Sequence, residues 1–299
     1  MKTTAKRRLA ALAVDAAGPP RRPAPRWRAR LAALAINALL VLVAAFTLLP
    51  LFWMISASLM PAGEALALPL RWLPSRPTLA HYAALFERLH LGRAFLNSLT
   101  LSLAITAVSL FCNAAAGYAF AKLRFKGRDR LFALLLATLV VPPQVGVLPL
   151  FLEIKSLGLV NSRLGVLVAG IATVFGIFLV RQFALSIPDE LLDAARVDGA
   201  SEMRIFGSVV LPALRPILVT LGVFTFLAAW NDFMWPLVVL TDEAKQTLPV
   251  ALANLSGEHV QDTELMMAGA VITVLPVLLL FFALQKHYVQ GILMGSVKE

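Results

Sequence analysis

"DELLDAARVDGASEMRIFGSVVLP", residues 189–212, is the most polar stretch in the second half of a chain built mostly of Leu, Ala and Val. It carries three Asp, two Glu and two Arg, with a long apolar run on either side. Local chemistry predicts two short helices with a hinge. Pro188 can take a first helical position, and Asp189 and Glu190 follow where the positive end of the helix dipole favours carboxylates. "ELLDAARV" consists of good helix formers. Gly199 offers the left-handed conformation that ends a helix, Ser201 is a candidate N-cap for the next, and Pro212 closes that second helix. Ala194 and Ala195 leave a small-residue surface that another body can approach closely. An amphipathic helix resting on a bilayer is the plainer reading. It leaves the acid, the paired alanines and the glycine before a Leu-Pro unexplained.

The surroundings decide the class. Hydrophobic residues make up 59% of the 299 and charged residues 15%, and mean hydropathy is +0.80. Soluble domains carry about a quarter of their residues as charges, so this composition is that of a membrane protein. The net charge of +10 would suggest nucleic acid in a soluble protein. In a membrane protein it reflects basic residues crowding the cytoplasmic loops, and no nucleic-acid partner is expected. Cys112 is the one cysteine, which excludes an intrachain disulfide and a cysteine-based zinc cluster.

Residues 1–30 read as a basic, Pro-rich cytoplasmic tail placed to meet anionic lipid headgroups. A cleaved signal peptide competes, but the apolar run at 31–58 exceeds the roughly 7–15 residues of a signal core. Further apolar stretches lie at about 94–120, 131–151, 164–185, 213–239 and 266–285. Each approaches the ~20 residues that cross a bilayer as a helix. The expectation is an all-α membrane protein of six spans, a single six-helix domain over 31–299. The loop "KLRFKGRDR" (122–130) is basic, whereas the loop between the last two spans carries Asp242, Glu243, Glu258, Asp262 and Glu264 against Lys245. The positive-inside rule then puts both termini, the 122–130 loop and the island in the cytoplasm.

With that orientation the island resembles a known motif. "DAARVDGASEMRIFGSVVLP" is similar to the EAA motif of the inner-membrane permease subunits of ABC importers: Glu-Ala-Ala, three residues, Gly, nine residues, then Ile-x-Leu-Pro. Asp193, Ala194, Ala195, Gly199, Val209, Leu211 and Pro212 fall on it in register, with Asp193 for Glu and Val209 for Ile. "AGYAFAKLRFKGR" (116–128), "AAWNDFMWPL" (228–237) and "QKHYVQGILMGSVKE" (285–299) resemble sugar-importer permeases of the MalG type. The resemblance implies a type I importer permease fold in the bacterial inner membrane. It implies a coupling loop at 186–212, with Glu190, Asp193, Ala194, Ala195, Asp198, Gly199, Leu211 and Pro212 facing a cytoplasmic ATPase. The implied partners are ABC ATPase subunits, a second homologous permease, an extracytoplasmic solute-binding protein and a carbohydrate. Glycerol phosphate and polyamine permeases carry the same loop and stay open as alternatives. An ion-coupled secondary transporter needs intramembrane carboxylates that the spans, Asp232 apart, do not offer.

No phosphate loop, zinc-protease helix or nucleophile elbow occurs, so no cofactor, metal or catalytic role is expected within the chain. His81, His90, His259 and His287 are scattered. Asn97, Asn113, Gln144, Asn231 and Asp232 are the polar residues inside apolar stretches, where a polar group needs a partner or a purpose. Gln144 lies among Pro142, Pro143 and Pro149, which free backbone carbonyls and bend the third span. Trp230 and Trp235 beside Asn231 read equally as an interfacial belt or as sugar-stacking surface. Gln144, Trp230 and Asn231 are the candidate solute pathway.

Overall fold

In a computed structural model, residues 26–88, 90–258 and 262–294 are described. The tail up to residue 25, His259 and the last five residues lie outside them. The chain divides into two compact units, Met1–Trp53 and Met54–Glu299. The described part of the first lies within α1 (Arg26–Ser58), which continues into the second. This helix exposes apolar side chains along its length, among them Leu34, Leu42 and Phe46, a surface suited to lipid rather than water.

The second unit is helical throughout, with no strand among the described residues. Its centre is α3 (Leu91–Lys122), which follows the short α2 (Ala80–Arg88). The buried face of α3 carries Ser98, Leu101, Ser102, Ile105, Ser109, Asn113, Gly117 and Ala121. Small residues at helical spacing let neighbouring backbones approach closely, which is how helices associate where lipid is as apolar as Leu. At Gly117 a Cβ would come within 2.6 Å of Val180 Cγ1 on α7 (Val174–Ala184), so only glycine permits that crossing. α10 (Leu211–Trp230) packs on the same central helix.

Among the described residues, four helices are long and apolar enough to cross a membrane: Ala33–Ser58, Leu91–Lys122, Glu202–Trp230 and Thr263–Leu284. Two bent pairs bring the number to six if each pair is one span. The expected third span at 131–151 is not straight. α4 (Arg128–Ala137) runs into 3-10 turns at Thr138–Val140 and Pro143–Gly146 before α5 (Val147–Ser156), with a bend of 100° between the halves. Pro142 is extended (ψ 131), as the residue before a proline must be. The expected fourth span is α6 (Arg163–Ala169) and α7, bent by 49°. The expected fifth span at 213–239 also breaks. α10 ends at Trp230, and α11 (Met234–Val239) starts after Asn231–Phe233. α12 (Leu248–Glu258) and α13 (Thr263–Met294) complete the described chain.

The in-span amides hold this arrangement together. Asn97, buried on α3, donates to Ala244 O and Gln246 O and accepts from Arg163. Asn113 Oδ1 accepts from Thr173 N at 2.9 Å, taking up an amide freed where α6 and α7 part. Both are the interhelical glue expected of an amide in a membrane helix.

Candidate functional site

The island folds as two helices with a hinge. α8 (Asp189–Val197) begins after Pro188, which stands at the cap (ψ 134) rather than at the first helical position. Gly199 has φ +78, and the chain turns there in a Schellman arrangement: Ala200 N donates to Ala195 O and Gly199 N to Arg196 O, both at 3.0 Å. Ser201 then caps α9 (Glu202–Ile205), accepting from Arg204 N. The expected stop at Pro212 is absent. A π turn at Phe206–Val210 carries α9 into α10, with Leu211 N donating to Phe206 O. A π turn is one residue wider than an α turn, which gives the Pro212 ring room inside a continuous helix.

Leu192, Ile205, Phe206 and Val210 seat the island in an apolar cluster with Ala114, Tyr118, Val180 and Leu214. Its outer surface is different. Val197 is 88% exposed and Met203 76%, with Leu191 also exposed, among the charges of Glu190, Asp193 and Asp198. Such an apolar surface rimmed by charge suits a protein partner. Ala194 is exposed and Ala195 half-buried, so the paired alanines leave the helix shallow where a partner would lie.

The sequence singled out the island but not the side chains that tether it. Lys122 at the end of α3 donates to Ile187 O and Asp189 Oδ1, both at 2.6 Å. The Tyr118 hydroxyl donates to Glu202 Oε2 at 2.9 Å. Arg196 joins the two helices, Nε to Glu202 Oε1 at 2.8 Å and an η nitrogen to Asp193 Oδ1 at 2.7 Å. The bond from Lys122 and its charge hold the Asp189 carboxyl below the usual carboxylate value. Bonds to Glu202 and Asp193 push the Arg196 guanidinium up. The Lys122 and Tyr118 pairings cross long separations, Tyr118 to Glu202 being 84 residues apart, which no window along the chain detects.

A cavity of about 680 Å³ borders α3 at Ile105. Its lining includes Ile105, Val147, Leu150, Thr173, Phe224, Thr225 and Trp235, with Gln144 and Asp232. Gln144 is on this wall, and Trp230 and Asn231 are not. Trp230 is 1% exposed, stacked on Phe226, edge-on to Phe95, and donates its indole N–H to Thr273 O at 3.1 Å. Asn231 donates to Leu227 O within its own helix. The helix break after Trp230 instead brings Asp232 and Trp235 to the cavity, where Asp232 accepts from Trp235 N.

No group of three or more His, Cys, Asp or Glu side chains able to hold a metal occurs among the described residues. His81 is buried, its Nε2 2.9 Å from Met60 O.

A bundle of membrane-length helices around a cavity, with a charged helical island fixed to one end, defines an integral membrane component of a transport system. The chain belongs to the family described as binding-protein-dependent transport system inner membrane components, which matches residues 113–294. It is 36% identical over 259 residues to the arabinooligosaccharides transport system permease protein AraQ of Halalkalibacterium halodurans, covering 86% of this chain and 93% of that protein. It is 32% identical over 271 residues to the lactose transport system permease protein LacG of Rhizobium radiobacter, covering 91% and 98%. Among solved structures it matches a chain of a bacterial ABC transporter involved in the import of the acidic polysaccharide alginate. That match has a TM-score of 0.78 and 25% identity, and covers 90% of this chain and 99% of that one. The chain is thus a permease subunit of an ABC importer, not an enzyme.

Proposed function

We propose that this chain is the six-span permease subunit of an ATP-driven importer for a carbohydrate, coupled to a separate ATPase through residues 186–212. Counting each bent pair as one span gives an even number, which returns both termini to one side. Lys122 meets Asp189 at one end of α3, while Asn97 meets Ala244 and Gln246 at the other. Basic loop and island therefore share a side, and the positive-inside rule makes it cytoplasmic. Glu190, Asp193, Ala194, Ala195, Asp198 and Gly199 form the ATPase contact, with Leu211 and Pro212 leading into α10. The partners are two ATPase domains, a second permease and an extracytoplasmic binding protein. Together they switch the helices between two states that ATP and solute bias differently.

The observation that carries this reading is the island's split character. Its inner side chains are fully packed, while Val197 and Met203 stand exposed at a polar site. The relatives named for arabinooligosaccharides and lactose support a neutral sugar. Gln144 is the candidate solute contact. The test is uptake into proteoliposomes holding this chain with its second permease and binding protein, with and without the ATPase. Uptake should require the ATPase and ATP; uptake driven by an ion gradient alone would refute the proposal.

A further inference from the structure

Both halves of the island are gripped from one helix. Tyr118 and Lys122 lie four residues apart near the end of α3, a spacing that puts them on one face. Lys122, its side chain only 7% exposed, reaches the entry of α8 through Ile187 O and Asp189. Tyr118, 3% exposed, reaches α9 through Glu202. Arg196 spans the hinge between Asp193 and Glu202. Arg181 on α7 donates to Phe120 O of the same central helix and lies over the Phe132 ring at 4.1 Å.

Apolar packing alone would not fix the island to α3, because burial is non-directional and allows helices to slide. Charge-assisted bonds from largely buried donors are directional and strong, and they set a register. Towards α10 the island is joined differently, through the π turn at Phe206–Val210, a wider and less regular geometry. We propose that Tyr118 and Lys122 are positioning residues that clamp the island to α3. Movement of the island then enters the membrane first through α3 and the α7 packed on it, with Arg196 as the strut that keeps α8 and α9 together. This rests on the island being the ATPase contact.

The test uses the whole complex in proteoliposomes, with this chain carrying Tyr118→Phe, Lys122→Met or both. Complex yield, ATP hydrolysis and solute moved per ATP are read on one preparation. The clamp predicts near-normal yield and hydrolysis, with solute per ATP falling at least about tenfold in the double variant, since the loss of one charge-assisted bond alone is on that scale. Unchanged solute per ATP overturns it. Should the double variant fail to assemble, Tyr118→Phe alone decides, since it removes a single oxygen atom: a fall supports the clamp and no change overturns it. Spin labels at Arg204→Cys and Leu103→Cys, with Cys112→Ala, supply a readout independent of transport. One narrow distance should broaden in the double variant, and an unbroadened distance overturns the clamp. Uptake without any ATPase would instead refute the coupling role of the island, and the label distances would still judge the clamp.

Discussion

Gly199 gives the sharpest test of the island, because its structural environment isolates one energy term. Its φ is +78, and a Cβ built there would meet nothing within 4 Å. Substitution therefore introduces no clash within this chain, and the cost to its own fold is that of holding an L-residue in the left-handed region, about 1–2 kcal/mol for Ala. A β-branched Val should cost at least ~2 kcal/mol, whereas Asn visits this region several-fold more readily than most residues. These energies fall on two bonds, Ala200 N to Ala195 O and Gly199 N to Arg196 O. When they open, Glu202 loses its fixed distance from Arg196. Hydrogen exchange at residues 199 and 200 in the assembled complex reads the opening directly. One to two kcal/mol corresponds to a factor of about 5–30, so exchange should accelerate within that range for Gly199→Ala and by about 30-fold or more for Gly199→Val. Gly199→Asn should stay near the native rate. Uptake should fall in the same order, with the protein still in the membrane. A Val variant with native exchange and native uptake would refute both the conformational argument and the coupling role.

Gln144→Ala should reduce uptake while leaving complex yield and basal ATP hydrolysis intact, whereas Asn231→Ala, whose amide is spent on Leu227 O, should leave uptake unchanged. Uptake and complex yield measured on the same membranes separate the two. Trp230→Ala should destabilise the subunit by about 3 kcal/mol or more, the usual cost of truncating a buried Trp, read as a lower melting temperature in detergent. A cytoplasm-dependent reporter should work when fused near Gly127 or Gly199 and fail near Glu64 or Gly257; activity at Gly257 would sink the six-span topology. The Lys122–Asp189 tether carries a depressed carboxyl. Its contribution is present above the unfolded carboxylate value near ~3.9 and is lost as pH falls through the lower folded one. Exchange protection at Leu191, whose N–H donates to Pro188 O, should therefore match between pH 7 and pH 5 once the intrinsic pH dependence of exchange is divided out.

Four long helices could be read from the sequence because a run of apolar residues longer than a bilayer admits few other structures. The hinge of the island was equally legible, since Gly199 and Ser201 act through local backbone chemistry alone. The breaks were harder. Pro142 and Pro143 announced one of them, but "AAWNDFMWPL" reads as continuous apolar helix. Hydropathy cannot register that Asn231 satisfies its own helix, or that Asp232 accepts from Trp235 N. That break changes the register, so Trp235 rather than Trp230 meets the cavity. Pro212 misled for a related reason. A proline is a stop only in a regular helix, and the π turn before it is set by packing of Phe206 and Val210. The tethers from Tyr118 and Lys122 were beyond any local reading.

The three broken stretches border one cavity, through Pro143 and Gln144, Gly170 and Thr173, and Asp232 and Met234. Backbone groups freed at membrane depth cost several kcal/mol each unless they face protein or a water-filled space, so the breaks and the cavity account for one another. Much of the polar chemistry on that wall is already spent. Asn113 holds Thr173 N, Thr173 Oγ1 accepts from Gly176 N, Thr225 Oγ1 donates to Leu221 O, and Asp232 accepts from Trp235 N. On the proposed reading, this chain offers a sugar Gln144, Trp235 and Asp232. A carbohydrate brings many hydroxyls that must each find a partner on leaving water. One such wall is too sparse to supply them, so we propose that the remaining contacts fall to a second permease. On this reading Gln144→Ala lowers uptake in part rather than abolishing it. Complete loss would mean that the recognition is concentrated in this subunit.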